Sequence, residues 1–423
     1  MLRIIHTADV HLGARYSDLG EQAAAQRERQ FAAFKATIDL AIAEKVDLVL
    51  IAGDLFDSNV QPRRSVERVA SELKRLAEAR IRTVIIPGTH DVYDRASIYR
   101  AYDLPGLAGS GPDDDMITVI DPDRPSVHLA TLETVVHGRV FATKRAPHSP
   151  LQGFDAAAGP AAASAAAGDP SATSTAAATP AGSARPVAPA PPAPPTESWR
   201  IGMVHGSIAI PGKTDHDEVV ITTEEIAASG LDYLALGHWH SAQTAKAGTV
   251  TYAYPGAPEP IALDQDRAGK VLLVELDRTA SRRSVKVEER QVGRTTFLKL
   301  DVDAATVVSQ PGLVDLLAGR ANPDLVLDVR LVGVRRDDLD LDLVEIEAAL
   351  APSFLKVRLR DASVPALTEG PLPSPDTIAG AFIRDVEARI AVLEAAGSGA
   401  EAAEQRDALR LGRLLLAGHE VSL

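Results

Sequence analysis

The stretch VDLVLIAGDLFD, residues 46–57, contains an apolar run that ends at Gly53 and Asp54. A short apolar run closed by a turn residue predicts a buried β-strand. Similar runs predict strands at residues 3–10, 81–88, 200–206 and 232–238, and helical spacing predicts a helix at residues 22–44. Strands that alternate with helices along a chain are typical of an α/β protein with a layered sheet.

Acidic and imidazole side chains cluster where these strands end. Open α/β sheets place their sites at the carboxyl ends of strands. In extended backbone, residues two apart project to the same side, so the Asp9/His11 and His238/His240 pairs are each expected to hold one ion or two adjacent ions. The motifs, in chain order, are Asp9-Val10-His11, Gly53-Asp54-Leu55-Phe56-Asp57, Gly88-Thr89-His90-Asp91, His205-Gly206 and Gly237-His238-Trp239-His240.

The residue types in these motifs restrict the metal. The chain has no cysteine, so any metal is held by imidazole and oxygen ligands. A mixture of imidazole and carboxylate suits Mn, Fe or Zn better than Ca or Mg, which prefer oxygen throughout. Asp54 is the natural bridge between two ions. Two ions roughly 3.5 to 4 Å apart clamp a phosphate oxygen and lower the pKa of a bound water.

Taken in this order, the motifs DVH, GDLFD, GTHD, HG and GHWH resemble those of the calcineurin-like metallophosphoesterases. The segment YPGAPEP at residues 254–260 and the strand GKVLLVEL at residues 269–276 make the layout similar to the SbcD-like DNA exonuclease branch. The resemblance implies a layered α/β fold, a metallophosphoesterase β-sandwich flanked by helices, followed by a small α+β capping domain and C-terminal helices.

The resemblance also implies a role for each motif residue. His90 corresponds to the catalytic histidine, which stabilises the transition state or protonates the leaving oxygen, and Asp57 orients it. The implied metal ligands are Asp9, His11, Asp54 and His240 for the first ion, and Asp54, His205 and His238 for the second, with Thr89 beside them.

Two positions depart from the family pattern. Thr89 stands where the family has Asn, and a hydroxyl is a shorter and weaker ligand than an amide carbonyl. Thr89 therefore either binds the second metal weakly or leaves the position to a water. Asp57 stands where SbcD-like nucleases more often have His, which separates this chain from that branch.

Three further residues follow active-site motifs closely. Arg15, Tyr16 and Arg95 are candidates for contacts to substrate phosphates, with surface salt bridges as the alternative. Trp239, between two candidate ligands, is expected to serve in packing.

The chain divides into three predicted parts. Residues 1–290 form the catalytic domain, interrupted at residues 155–198 by an Ala/Pro-rich insertion whose composition predicts disorder. Residues 294–368 form the capping domain, and residues 374–423 a helical segment. The first of its helices is expected to begin at Ser374 and Pro375 and to carry an apolar stripe of Ile378, Phe382, Val386 and Ile390. That stripe either docks on its own domain or binds a partner helix.

Charge and hydropathy bear on partners and location. The formal net charge of -14 argues against a large basic face for DNA, because nonspecific affinity comes mostly from Lys and Arg. No stretch is apolar enough for a membrane span, so a cytoplasmic protein is expected.

The resemblance implies a two-metal DNA exonuclease acting in DNA repair with an ATPase of the SMC type, which would supply the missing basic surface, and it leaves room for a homodimer. A phosphodiesterase for nucleotides or cyclic nucleotides and a weakly active scaffold subunit are the alternatives.

Overall fold

The computed structural model describes residues 1–16, 23–111, 114, 116–146, 148–156, 198–214, 216–262, 265, 267–279, 282–336, 339–365 and 372–416. The chain forms two compact units, Met1–Arg294 and Thr295–Leu423. Nearly all of the Ala/Pro-rich insertion predicted at residues 155–198 lies outside the described residues.

The described part of the first unit consists of two six-stranded sheets, a short two-stranded sheet and several helices. Its helices are α1 (Ala23–Ala43), α2 (Arg63–Glu78), α3 (Ile98–Ala101), α4 (Leu104–Leu107) and α5 (Thr223–Ala228), with a 3-10 turn at Ala130–Leu132. Its strands are β1 (Leu2–Thr7), β2 (Leu48–Ala52), β3 (Arg82–Ile86), β4 (Ile117–Val119), β5 (Ser126–Leu129), β6 (Thr134–Arg139), β7 (Trp199–His205), β8 (Ser207–Ile208), β9 (Val220–Ile221), β10 (Tyr233–Gly237), β11 (Gln243–Ala247), β12 (Val250–Tyr254), β13 (Lys270–Thr279) and β14 (Arg282–Gln291).

Both large sheets have a parallel centre. The first has the order β14-β13-β1-β2-β3-β4 and the second the order β11-β12-β10-β7-β6-β5. Strands β1 to β4 are mutually parallel, as are β12, β10, β7 and β6, whereas antiparallel strands lie at β13, β14, β5 and β11. Parallel strands end at the same edge of a sheet, so the residues that follow β1, β2 and β3 lie along one edge.

Three apolar layers hold the sheets and helices together. Side chains of both sheets, among them Ile4, Leu50, Ile201 and Tyr233, form one core between the sheets. The opposite face of the first sheet packs on α1 and α2, and the opposite face of the second sheet packs on α5 and its neighbouring loops. The predicted α/β sandwich flanked by helices is confirmed. Continuous apolar runs suit these strands because both of their faces are buried.

A polar contact between buried side chains lies in the core between the sheets. His6 of β1 is fully buried, and its Nδ1 lies 2.8 Å from the hydroxyl of Tyr233 in β10. Buried polar groups need such partners because leaving one unsatisfied costs about 1 to 3 kcal/mol.

The second unit begins with a small parallel sheet. Its strands are β15 (Thr296–Asp303), β16 (Asn322–Val332) and β18 (Phe354–Asp361), in that order and all parallel, with the short pair β17 (Val334–Arg335) and β19 (Val364–Pro365). Helices α6 (Gln310–Ala318) and α7 (Leu343–Leu350) connect the three strands, and 3-10 turns lie at Ala304–Thr306 and Ala351–Ser353. The predicted order of strands and helices is the one observed.

Two helices, α8 (Ile378–Ala395) and α9 (Gly399–Leu416), follow this sheet and pack on each other. The predicted start at Ser374 and Pro375 is wrong, because Thr377 caps α8 by accepting from the amide of Gly380. The predicted stripe is partly wrong. Val386 and Ile390 are buried, but Ile378 is 81% exposed, and Ile383 is buried in its place. No described helix is long and apolar enough to cross a membrane.

Two buried histidines predict acid sensitivity. Burial lowers the pKa of His6 to about 3, and burial with Arg139 and Arg200 nearby lowers the pKa of His137 to about 4. Because the folded protein favours the neutral rings, each histidine contributes to the free energy of unfolding above its unfolded pKa near 6.5. This contribution is lost as pH falls toward 4. For His137 the loss between pH 7 and pH 5 is about 2 kcal/mol.

We expect the urea midpoint of the wild type to fall over this range and that of His137→Leu to fall less. The control is Val135→Leu, a buried position in β6 that carries no titratable group, so this variant should keep the wild-type pH dependence. Identical pH slopes for His137→Leu and the wild type would contradict the assignment.

Candidate metal centre

The five motifs meet at the carboxyl ends of parallel strands from both sheets. Asp9 and His11 follow β1, Asp54 and Asp57 follow β2, Thr89 and His90 follow β3, His205 is the last residue of β7, and His238 and His240 follow β10. Apart from Asp57, His90, His238 and His240, these residues are buried. The strand-end placement predicted from the sequence is the one observed.

The backbone at this edge is not extended. Asp9, His11, Asp54 and His238 have φ values of 53°, 48°, 52° and 106°. The expectation that Asp9 and His11 align through strand alternation is therefore wrong, because β1 already ends at Thr7. Positive φ is unfavourable for residues with a side chain and persists where surrounding contacts enforce it, often at functional sites.

Backbone amides that follow other strands hold the two central carboxylates. The amide of His238 donates to Asp9 Oδ1 at 3.0 Å and Oδ2 at 3.1 Å, and the amide of His90 donates to Asp54 Oδ1 at 2.7 Å. Asp9 thereby connects the two sheets.

Asp54 lies between two imidazoles from different strands. Its Oδ2 is 3.0 Å from His205 Nε2 and 3.6 Å from His11 Nε2. Asp9 Oδ1 is 3.9 Å from the Nε2 atoms of both His205 and His240. Two overlapping groups of ligand atoms contain Asp9, one with His11 and His240 and the other with Asp54 and His205, and a third group consists of His11, Asp57 and His90.

The donor atoms of these groups fit divalent cations. The Nε2 atoms of His11 and His205 are buried and have no hydrogen-bond partner among the described residues. The Nδ1 of His205 lies 2.9 Å from the carbonyl of Ala52 and donates to it, so Nε2 is the ring atom that faces Asp54 and would hold a cation once its proton is released. A ligand histidine typically donates its other nitrogen in this way.

The carboxylates of the site favour the protonated forms of His205 and His11. Burial alone would lower the pKa of His205, but Asp54 and Asp9 outweigh it and raise this pKa to about 10. Burial would likewise lower the pKa of His11, but Asp57, Asp54 and Asp9 raise it, and burial would raise the pKa of Asp54, but His205 and His11 lower it. A bound cation would replace these protons, since metal binding to protonated ligands releases them.

Two predicted ligands stand at the margin of this arrangement. The ring of His238 lies 5.5 Å from that of His205, centroid to centroid, and its nitrogens belong to none of these groups of ligand atoms. The hydroxyl of Thr89 lies 3.5 Å from Asp54 Oδ2. Thr89 is thus beside the second group, and ligation by either residue stays a prediction.

The ring of His90 is the accessible imidazole at this edge, with 47% of its side chain exposed. Its Nδ1 lies 3.1 Å from the backbone carbonyl of Asp57 and 3.8 Å from the Asp57 carboxylate. That carboxylate is closer to His11 Nδ1, at 3.4 Å. The carbonyl of Asp57 therefore orients His90, and its carboxylate faces His11.

Asp91 supports the site, although no role was predicted for it. It is fully buried and accepts from the amides of Gly88 at 2.7 Å and Phe56 at 3.1 Å and from the hydroxyl of Tyr99 at 2.6 Å. These bonds join the segment that carries His90 to the one that carries Asp54. The sequence feature that could have indicated this role is the position of Asp91 at the end of the GTHD motif.

Gln265 has no sequence signal at all. Its Nε2 lies 2.7 Å from His240 Nδ1, and its Oε1 accepts from the amide of Ile261 at 3.1 Å. A cation at His240 Nε2 requires the ring proton to be on Nδ1, so the Gln265 amide must then turn its oxygen toward the ring.

Glycines let the two sheets approach at the site. A Cβ at Gly53, whose φ is +91°, would lie 2.3 Å from His205 Nδ1, and one at Gly237 would lie 2.1 Å from the carbonyl oxygen of Ala52. Any larger residue would separate His205 from Asp54. This close approach explains why glycine precedes the acid in GDLFD and the first histidine in GHWH.

The predicted substrate contacts are less well placed. Arg15 and Arg95 are exposed, whereas Tyr16 is buried, which disfavours direct phosphate contact by Tyr16. Trp239 stacks on Tyr254 with ring centroids 4.6 Å apart and donates to Ser207 Oγ at 3.0 Å, so its predicted packing role is confirmed.

The sequence profile of the calcineurin-like phosphoesterases matches residues 2–144, which carry β1 to β6 and the first three motifs. The chain therefore contains a calcineurin-like phosphoesterase domain. His205 and His240, which lie beyond the matched residues, complete the ligand groups that begin in this domain.

Parts of this chain are similar in sequence to a named metallophosphoesterase and to DNA repair proteins. An uncharacterised metallophosphoesterase of Bacillus subtilis (strain 168), YhaO, is 28% identical over 260 residues, which is 60% of this chain and 52% of that protein. The DNA double-strand break repair protein Mre11 of Aeropyrum pernix is 38% identical over 91 residues, 22% of this chain and 21% of that protein. The chain thus spans about half the length of the first relative and a fifth of the second. The solved structure of TT1561 of Thermus thermophilus overlaps 69% of this chain and 99% of its own, with a TM-score of 0.39 and 13% identity.

Removing one ligand should leave one ion. We expect the wild type to bind two Mn²⁺ per chain and His205→Asn to bind one, with the affinity of the second position reduced roughly tenfold or more. Calorimetric titration together with metal analysis after gel filtration measures both quantities.

The control is His137→Asn, which alters a buried histidine outside the ligand groups and should retain two ions. Equal stoichiometry in His205→Asn and the wild type would exclude His205 as a ligand.

Proposed function

We propose that this chain is a two-metal-dependent phosphodiesterase that acts on DNA, in the manner of an exonuclease of DNA repair. The observation that carries the proposal is the position of Asp54 between His11 and His205, with Asp9 shared by two ligand groups. A carboxylate shared between imidazoles of two strands is the arrangement that two adjacent ions need.

The first ion would be held by Asp9, His11, Asp54 and His240, and the second by Asp54, His205 and His238, with Thr89 beside them. When bound, such a pair of divalent ions polarises a phosphate and lowers the pKa of a coordinated water. Imidazole and carboxylate donors without thiolate favour Mn²⁺, with Fe or Zn as alternatives.

His90 is the side chain of this protein that would take part directly in the reaction. Its Nδ1 is held by the Asp57 carbonyl, and its exposed ring leaves Nε2 for the phosphate or the leaving oxygen. As an imidazolium it stabilises negative charge in the transition state and can protonate the leaving oxygen. His90 is therefore proposed as the catalytic residue, positioned by Asp57 and by the Asp91 hydrogen bonds.

DNA is the preferred substrate class because relatives are named DNA double-strand break repair proteins, Mre11, from Aeropyrum pernix and Saccharolobus solfataricus. The net charge of -14 is unfavourable for unaided binding of a polyanion. A partner with a basic surface would resolve this conflict.

The central test is hydrolysis of linear double-stranded DNA, single-stranded DNA and bis-para-nitrophenyl phosphate with Mn²⁺, Mg²⁺ or chelator. We expect Mn²⁺-dependent degradation of DNA, a loss of roughly 100-fold or more in His90→Ala, and an increase in Thr89→Asn because an amide carbonyl is the stronger ligand. His128→Ala, outside the site, should keep wild-type rates.

Turnover of the small ester without DNA degradation would replace the proposal by a phosphodiesterase for small substrates. No turnover by the wild type or by Thr89→Asn, with manganese shown to be bound, would leave a scaffold subunit or a nuclease that depends on its partner.

The partner we propose is an ATPase of the SMC type that binds the α8–α9 pair. At the end of this pair opposite its connecting loop, Ile378, Leu415 and Leu416 are 81%, 54% and 45% exposed. An exposed apolar cluster on paired helices fits the apolar seam of a coiled coil.

We expect Ile378→Glu combined with Leu415→Glu to abolish co-elution with a co-expressed SMC-type ATPase in size-exclusion chromatography with light scattering. Val344→Glu, a site 78% exposed on α7, is the matched control. Complexes of equal mass for both variants would refute this surface. The mass of the chain alone reports whether it is a homodimer.

A further inference from the structure

A cavity of about 310 Å³ lies beside α3 and α4, outside the metal centre. The segment from Tyr93 to Pro105 forms one wall, and the edge strand β4 with the following turn forms the other. Ligand pockets in proteins begin at roughly this volume. The functional site described above uses none of the residues that line it except Tyr99, which bonds to Asp91.

Three tyrosines give the cavity an aromatic lining. Tyr93, Tyr99 and Tyr102 all line it, and each is partly exposed. The guanidinium of Arg100 lies 4.3 Å from the centroid of the Tyr93 ring and fixes that ring from one side. Aromatic side chains held in place are stacking platforms for planar rings and lose little entropy on binding.

The polar groups of the cavity are mostly acceptors. Asp103, Asp114 and Asp121 line it together with Arg124, so carboxylates outnumber cations among the described lining residues. Asp103 and Asp114 already hold backbone turns through the amides of Gly106 and Gly111 and are fixed in place. This lining repels phosphate and accepts hydrogen bonds from amino groups. It therefore suits an uncharged planar ring that carries N–H donors.

We propose that this cavity binds a nucleobase. The proposal rests on the proposed function in one respect, namely that a DNA substrate brings such a base to the protein. The base enters either as a free nucleoside or as an unpaired base of a DNA strand, since both present the same ring and the same amino groups.

Tyr99 joins the cavity to the catalytic segment. Its ring lines the cavity, while its hydroxyl donates to Asp91 Oδ2 at 2.6 Å, and Asp91 in turn holds the amide of Gly88, two residues before His90. Tyr99 is thus a positioning residue that acts on His90 through Asp91. A base stacked on its ring would restrict the same side chain that fixes the Gly88–Asp91 segment.

The test is calorimetric binding to the full chain with three probes: deoxyadenosine, a single-stranded oligonucleotide of deoxyadenosines, and an abasic oligonucleotide of equal length. Tyr102→Ala should weaken binding of a base-containing probe by roughly 5-fold to 150-fold, and Tyr102→Phe should bind as the wild type does. Binding of the abasic strand should not respond to either substitution.

A response with deoxyadenosine identifies a nucleoside site, and a response with the oligonucleotide alone identifies a site for a strand base. Equal affinities of Tyr102→Ala and the wild type for both base-containing probes overturn the proposal. If Tyr102→Ala does not fold, Val119→Trp, which fills the cavity from β4, must give the same loss. Binding is measured without turnover, so its failure leaves the phosphodiesterase proposal standing.

A separate experiment tests whether the Tyr99 hydroxyl positions His90. Tyr99→Phe keeps the stacking ring but removes the hydroxyl that Asp91 accepts. It should bind the base-containing probe normally while lowering kcat on bis-para-nitrophenyl phosphate, whereas His128→Ala, outside the cavity and the metal centre, should change neither quantity. An unchanged kcat in Tyr99→Phe refutes the link to His90.

Discussion

The Asp54 carboxylate is the constraint on which the rest of the site depends. It follows β2, is 2% exposed, and lies between His11 of the first sheet and His205 of the second. A buried carboxylate is strongly unfavourable without compensation, so two imidazoles and the amide of His90 must lie around it. The contacts that bring the two sheets together at this edge place these compensating groups around Asp54.

The packing of the two sheets brings His205 close to Asp54. The core between the sheets fixes their separation, and Gly53 and Gly237 remove the side chains that would keep His205 from Asp54. Left-handed backbone at Asp9, His11 and Asp54 then turns each side chain inward. The cost of this backbone is offset by the packing and hydrogen bonds of the surrounding strands, which is the usual way that strained site residues persist.

Supporting residues extend the site beyond its ligands. Asp91 ties the segment of His90 to that of Asp54, and Tyr99 ties both to a cavity lined by aromatic rings. Asp57 acts with two different groups, its carbonyl toward His90 and its carboxylate toward His11. A metal centre, a catalytic histidine and a base-binding cavity would thus share one connected network of hydrogen bonds.

The sequence by itself determined the main strands of the first unit, the motif residues at their ends and the donor chemistry, because apolar runs and ligand types are local properties of the chain. It misplaced the start of α8, because Ser374 followed by Pro375 also matches the residue pattern of a helix start, whereas Thr377 caps the helix. It attributed the alignment of Asp9 and His11 to extended strand. Only the tertiary structure decided these points, together with the roles of Asp91 and Gln265, because they depend on distances between segments far apart in sequence and on burial that no local pattern encodes.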